Sequence, residues 1–584
     1  MAKQNNKNQQ ATTNKIVNVK TIKEKSNEVV SSLSLFDILE NHFDKNRLIY
    51  IIIACLLAGL FSILCFDAKI STSNDDALYI EAASNYAKDF FGYFYTTTAP
   101  LYPIILSFVV KIFGVKILIL KLFSIIFYVA GICIFYLTFK NRIPYLILIP
   151  TLILTSINYL FLVHASLTYT ETFFFFIQGI CFYLIFKIFD RTIDTESTES
   201  SKIYLWIILG FIIFIQMITR NVALGFIGIV IVYLIYRKKY VATTVTTISF
   251  IVYYFIYNKI ILKYIWHLGG SQFSSQGNVM FQKDAYNPQM GKETFFGFIE
   301  RFWGNCQIYL SSRFWEILGF RAENSTTDTA LTIFTIAIFF GALYYMFKKG
   351  QQVLLFTTLY FIGLLGLTFI SLHTFWAQGR LIMVYLPLML FALFYLLYAI
   401  GKQISMAQLI LPFVFVILLF TSIKTTTENA KIKFPVFIEN MNGDATFGYT
   451  TDWQNYIKMS KWCGENLPNE TKSIAVRKAP MSFIFSEGKE FYPIYNTPYQ
   501  DADSLLTPFR TAKVNYIMPA KLRVVQDQYI EGQFISTVHR YMAFIAQKYG
   551  DRAFTYVHHE GEQEEAVLYK INWNYIDSLK ATIK

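Results

Sequence analysis

Two adjacent carboxylates, Asp75 and Asp76, stand in the segment Ser-Asn-Asp-Asp-Ala-Leu-Tyr-Ile-Glu-Ala-Ala (73–83), closely after a long apolar run. A carboxylate pair at a water–lipid boundary can act as general base on a hydroxyl, or can hold a divalent cation. The same acids could instead start a helix, Asp75 as its cap and Asp76 as a charge favoured by the dipole. Both readings put a helix here, with Tyr79, Ala83 and Tyr86 on one face at spacings of four and three. Thr-Ala-Pro-Leu-Tyr-Pro (98–103), which includes Tyr102, then leads into an apolar stretch over 104–114. That stretch is too short to cross a bilayer and suits a helix lying along its surface.

Other ionisable residues sit where charge is expensive. Lys121 lies inside the start of an apolar run, either as a functional cation or snorkelling to the surface. His164-Ala-Ser-Leu-Thr-Tyr-Thr-Glu171 joins two more runs. Glu171 there can bind an acceptor or cation, or act as a first-turn acid; His164 alone reads more naturally as interfacial filler than as a catalyst. Arg220 closes one run, and Arg380 with Gln378 precedes another. A guanidinium forks onto phosphate oxygens, so these two arginines with Lys121 suggest a lipid-phosphate site. After Trp266 and His267, Gly269 and Gly270 begin a Gly/Ser/Gln-rich stretch over 269–278 that suits a loop closing on substrate. No phosphate loop, dinucleotide fingerprint or Ser/His/Asp elbow is present, which argues against a nucleotide-driven pump.

The elements that must position these residues are membrane-spanning helices. Of 584 residues, 54% are hydrophobic and 16% charged, too few charges for a soluble chain. At roughly 20 residues per crossing, eleven spans are expected near 48–66, 117–138, 144–163, 171–189, 203–219, 222–236, 243–264, 329–347, 352–371, 382–400 and 405–423. Lys140 with Arg142, Lys187 with Arg191, Arg237-Lys238-Lys239, Lys348-Lys349 and Lys402 fall in alternate turns, on the side of Lys45 and Arg47. The positive-inside rule makes that side cytoplasmic. The net charge of +13 is therefore a topology signal, and nucleic acid is not an expected partner.

The expected fold is thus mainly α, a polytopic helical bundle with its N-terminus inside and its C-terminus outside. Residues 1–46 read as a disordered cytoplasmic tail, with no cleavable signal peptide. Residues 47–423 form the membrane domain, with external loops at 67–116 and 265–328. Residues 424–584 read as a small external α+β domain, with strands near 473–476 and 514–518 and helices near 453–466 and 534–548. The six cysteines show no metal spacing, and a Cys306–Cys463 disulfide is disfavoured.

The residues also form a pattern. Asp75-Asp76-Ala-Leu-Tyr79 with Ala82-Ala83, Pro100-Leu-Tyr102-Pro103, Lys111-Ile-Phe-Gly114, Lys121-Leu-Phe-Ser124, Thr170-Glu171, Thr219-Arg220 and Gln378-Gly-Arg380-Leu followed by Tyr385-Leu-Pro387 occur in that order. Over about residues 48–400 this resembles the GT-C membrane glycosyltransferases, in particular the dolichyl-phosphate-mannose protein mannosyltransferase-like group and the lipid A aminoarabinose transferases. Asp76 stands where the family usually has Glu, and Leu381 where it has Tyr. The resemblance implies an inverting transfer from a polyprenyl-phosphate sugar to an acceptor hydroxyl on a protein, a lipid A-like glycolipid or another envelope glycan. It makes Asp75 the general base, with Asp76 beside it. It places the donor phosphate near Lys121, Arg220 and Arg380, and substrate contacts at Tyr79, Tyr102, His164, Glu171, His267 and Gln378. Family enzymes differ in metal use; no cofactor is assigned, and a divalent cation would sit at Asp76 or Glu171. The enzyme is expected to work as a monomer among inner-membrane lipids, with its site extracytoplasmic. The alternative is a transporter or flippase for an amphiphile, which would tend to show inverted repeats and broken helices at the bilayer midplane.

Overall fold

A computed structural model describes residues 34–193, 202–268, 279–285, 290–322, 325–468, 470, 472–525 and 528–583. The glycine-rich stretch 269–278 and the tail before residue 34 lie outside the described residues. The first part of the chain runs α1 (Leu35–Lys45), α2 (Arg47–Leu64), α3 (Asp75–Lys88), α4 (Leu101–Phe113), α5 (Ile117–Phe139), α6 (Tyr145–Ser156), α7 (Tyr159–Ala165) and α8 (Thr170–Thr192). It continues as α9 (Ile203–Thr219), α10 (Asn221–Tyr236), α11 (Tyr240–Ile265), α12 (Phe295–Gln307), α13 (Thr329–Lys348), α14 (Gln352–Ser371), α15 (Leu386–Gly401) and α16 (Ile410–Met441).

In hydrocarbon every backbone polar group must be bonded within its own segment, which leaves the helix as the form for these apolar runs. Seven helices among the described residues have the length and hydropathy to cross a membrane, and α6 with α7, bent by 54°, makes an eighth. The shorter apolar helices α9, α10 and α15 fill the remaining expected positions, so all eleven runs are helical. The chain is a polytopic integral membrane protein. The bend between α6 and α7 falls at Asn158, whose side chain accepts from the Phe161 amide and donates to the Ile317 carbonyl.

Two boundaries differ from the sequence reading. Residues 35–45, read as disordered tail, form α1. Ser34 caps it reciprocally with Asp37. Glu40 then accepts from the amides of Tyr145 and Leu146 at 2.7 and 2.8 Å, capping α6 in turn. The last apolar helix does not stop near 423. It continues to Met441, where Lys433 faces Asp67 at 3.6 Å and Phe437 packs on Phe66. The fall in hydropathy after residue 423 marks a change of surroundings, and the helix simply carries on through it.

The C-terminal part runs α17 (Thr451–Asn466), β1 (Ile474–Val476), α18 (Ala479–Phe485), β2 (Tyr492–Pro493), α19 (Ala502–Thr511), β3 (Tyr516–Met518), α20 (Thr537–Tyr549), β4 (Phe554–Glu560), β5 (Ala566–Ile571) and α21 (Trp573–Ile583). Its sheet has the order β2-β1-β3-β5-β4, with β1 parallel to both neighbours and β4–β5 an antiparallel pair. This small α+β unit packs its α18 against α3, directly over the first loop of the membrane part.

Candidate active site

The loop that carries the acid pair is tied down from three directions. After α2, the buried Lys121 ammonium of α5 donates to the carbonyls of Asp67 and Lys69, at 2.7 and 2.6 Å. From the C-terminal part, Tyr449 donates to the Ile70 carbonyl (2.7 Å) and Lys478 to that of Thr72 (3.0 Å). From the start of α8, the Tyr169 hydroxyl donates to Ser71 Oγ at 2.8 Å. The turn closes with the Asn74 amide on the Ser71 carbonyl, and Asn74 adopts the left-handed conformation, φ 74°. Asn tolerates that region better than most residues, and such strained positions cluster at functional sites.

Asp75 and Asp76, the first residues of α3, point in different directions. Asp76 is fully buried; it accepts from the amides of Ser71 (2.8 Å) and Ala77 (2.9 Å). Burial pushes its carboxyl up to about 6 against the opposing pull of Lys121. Asp75 remains about a third exposed and meets Arg380 Nη2 with its Oδ2 at 2.5 Å. The cap position belongs to Asn74, so the capping alternative for Asp75 does not hold.

Arg380 joins the rest of the cluster. Its Nε donates to Gln378 Oε1 at 2.6 Å, and its guanidinium lies 4.9 Å from the Tyr169 ring centre. Its Nη1 faces Glu171 Oε1 at 3.8 Å, and Arg220 Nη2 faces the same oxygen at 3.8 Å. Glu171 is 2% exposed. Asp75, Arg380, Glu171 and Arg220 thus form one chain of ion pairs at one end of the bundle, contributed by α3, the turn before α15, the start of α8 and the end of α9. Glu171 Oε2 and Arg220 Nη1 are buried with no hydrogen-bond partner among the described residues. Polar atoms left in that state want a ligand or water.

Of the other expected site residues, Tyr79 borders the cluster. Its hydroxyl is 3.3 Å from Thr98 Oγ1, and burial, opposed by Thr98 and aided by the charges of Glu171 and Asp75, pushes the phenol up to about 12. Tyr102 packs edge-on beneath Tyr79 and bonds Ser124 at 3.4 Å. His164 is buried, bonded through Nδ1 to the Leu160 carbonyl and packed near Tyr169. His267 lies apart: it is exposed at the end of α11, and no described contact joins it to the ion pairs. Lys121 needs correcting most. Its buried ammonium gives two of its three protons to the Asp67 and Lys69 carbonyls, which assigns it to holding the loop rather than to a phosphate. Among the described residues no group of acids and histidines is placed to hold a divalent cation: both Asp76 oxygens already accept from amides, and Glu171 faces two guanidinium groups that would repel a further cation. Sequence reasoning did not single out Tyr169 or Lys478. Tyr169 directly precedes Thr170-Glu171, and Lys478 follows a buried strand at its carboxyl end, where open α/β sheets tend to present functional groups.

These elements define the class: a GT-C fold membrane protein, as the sequence pattern suggested. Among solved structures the chain is similar to ArnT from Cupriavidus metallidurans bound to undecaprenyl phosphate (TM-score 0.51, 9% identity, covering 91% of this chain and 98% of that one). It is similar to the apo state of the same ArnT at TM-score 0.50 and 10% identity, with 89% and 97% covered. An archaeal oligosaccharyltransferase, AglB from Archaeoglobus fulgidus with an inhibitory peptide and a dolichol-phosphate, gives TM-score 0.49 and 13% identity over 81% and 69%. No family model and no curated protein sequence matches the chain. At these identities the likeness to ArnT establishes the fold alone.

Proposed function

We propose that this protein is an inverting glycosyltransferase that moves a sugar from a polyprenyl-phosphate carrier to an acceptor hydroxyl at the extracytoplasmic face of the inner membrane. The observation that carries this reading is the ion-pair chain Asp75–Arg380–Glu171–Arg220, with its unpartnered guanidinium nitrogen on Arg220. The orientation follows from the basic turns at the opposite end of the bundle, where Arg142 pairs with Asp190 and Lys402 with Asp37. The polyprenyl phosphate held by the similarly folded ArnT supports the donor class. Acceptors in scope are a protein, a lipid A-like glycolipid and another envelope glycan. The chain works as a monomer.

The charges of the cluster suggest how the steps are coupled. Two carboxylates and two guanidiniums make it neutral at rest. Asp75 takes the proton of the acceptor hydroxyl as its oxygen attacks the anomeric carbon. The carbon–oxygen bond to the carrier breaks on the opposite face, which inverts the configuration. The leaving polyprenyl phosphate gains one negative charge as Asp75 loses one, so Arg380 is released from Asp75 when the phosphate needs it. This is stabilisation placed where charge develops. A transporter would need polar groups along a path through the bilayer, whereas these groups gather at one end.

The test is transfer from the lipid-linked sugar fraction of the parent membranes by reconstituted protein. Asp75→Asn is expected to abolish transfer, by at least about a hundredfold for loss of a general base, with folding intact because this side chain is partly exposed. Full activity in that variant would place the base elsewhere.

A further inference from the structure

We infer that Lys478, carried by the C-terminal part, is a positioning residue of the active site that holds the Ser71–Asn74 turn and thereby aims Asp75. This rests on the proposed role of Asp75 and deepens it. Lys478 is 403 positions from Asp75 in the chain, yet its ammonium donates to the Thr72 carbonyl at 3.0 Å, inside the four-residue turn that begins α3.

The lysine is itself well fixed. Its backbone amide donates to the Tyr456 hydroxyl at 3.1 Å, and that hydroxyl also takes the Ser482 hydroxyl at 2.9 Å. Tyr456 is fully buried in α17. The ammonium also lies 5.7 Å from the centre of the Trp453 ring, so its stem has one direction to take. On the other side, α18 begins at the next residue and packs along α3, with Lys88 over Phe483 at 5.4 Å. The turn therefore has a rigid partner above it and rigid partners below, Tyr169 on Ser71 and Lys121 on Asp67 and Lys69. A left-handed Asn74 directly before Asp75 makes the carboxylate direction sensitive to any shift of this turn.

The charged groups facing Lys478 are Arg477 beside it and Asp75 across the turn, with Arg380 beyond Asp75. Burial first, then Arg477, brings the ammonium down to about 8, and Asp75 opposes the fall. The positive charge near Asp75 is therefore lost as pH rises through about 8, while an arginine at the same place would keep it.

The experiment uses the full-length protein in three forms, wild type, Lys478→Met and Lys478→Arg, with Asp75→Asn alongside. Three quantities are read: turnover on the lipid-linked sugar fraction, binding of undecaprenyl phosphate, and amide exchange over residues 70–78. We expect Lys478→Met to lose about a hundredfold in kcat, the scale of an ångström-sized misplacement. It should bind undecaprenyl phosphate as wild type does, and exchange faster over 70–78. Lys478→Arg should restore exchange protection and most of the turnover, and move the alkaline fall of activity above pH 8. Wild-type turnover and protection in Lys478→Met would overturn the inference. So would an alkaline limb left unmoved in Lys478→Arg, and that arm still decides if Lys478→Met fails to fold. Activity in Asp75→Asn would sink the general-base reading instead, and the exchange data would still report whether Lys478 holds the turn.

Discussion

Replacing Arg380 probes the proposed phosphate site most directly. In Arg380→Ala, Asp75 loses its 2.5 Å partner, Gln378 its donor, and Glu171 one of two cations. Two costs follow, and they differ in size. Glu171 keeps Arg220, so the stability loss should stay below the roughly 3–5 kcal/mol of stripping a buried charge of its partner. The Asp75 pair, a third exposed on the acid side, adds at most about 1 kcal/mol. If Arg380 meets the donor phosphate, removing it costs a charge-assisted hydrogen bond, about 1.5–3 kcal/mol. At about 1.4 kcal/mol per decade this is roughly a 10- to 150-fold loss in affinity. Titration of undecaprenyl phosphate onto the purified protein, followed by native mass spectrometry, reads that loss. Arg380→Lys should fall between, because one ammonium cannot reach Asp75, Gln378 and Glu171 together as a fork does. Unchanged affinity in Arg380→Ala, with the protein still folded, would refute its place in the phosphate site.

Substitutions at three further positions test the surrounding structure. Lys121→Met should leave undecaprenyl phosphate affinity unchanged but lower thermal stability, since two part-buried carbonyls lose their donor at up to about 1–3 kcal/mol each; a stable variant with weak affinity would return Lys121 to the phosphate site. Asn74→Gly should keep turnover, whereas Asn74→Val should lose about 1–3 kcal/mol of stability from the left-handed backbone, read as a lower unfolding midpoint. Glu81, half-buried on α3 where it meets the C-terminal part, is pushed up to about 7, first by burial and then by Glu490, with Lys472 and Lys88 opposing. Its folded value exceeds its unfolded one, so the stability it contributes falls as pH rises from about 4.5 through 7. Glu81→Gln should flatten that part of the unfolding profile between pH 5 and 8; an unaltered slope would rule out Glu81 as its source.

Much was legible before any folding. Whether a stretch such as Ile117–Phe139 crosses a membrane depends on its own composition and length, because lipid rewards apolar side chains and demands internal hydrogen bonds locally. The placement of Asp75, Glu171, Arg220 and Arg380 at the ends of such stretches followed from the same local physics. The tail at 35–45 was misread because its order comes from partners elsewhere, Lys402 and the start of α6.

Pairing was not legible, because it depends on which helix ends share a side of the bundle and how far each turn reaches. Asp75 and Arg380 lie 305 positions apart, and no periodicity links them. Lys121 read as a phosphate-site cation; only the chain path after α2 supplies the two carbonyls that it meets. Lys478 drew no notice in the sequence, because nothing local to it points at a turn about 400 positions earlier. Composition decided that the chain enters the membrane and which groups lie at its edge. Tertiary packing decided which charges meet, because an ion pair needs ångström distances that only the folded path of the whole chain can set.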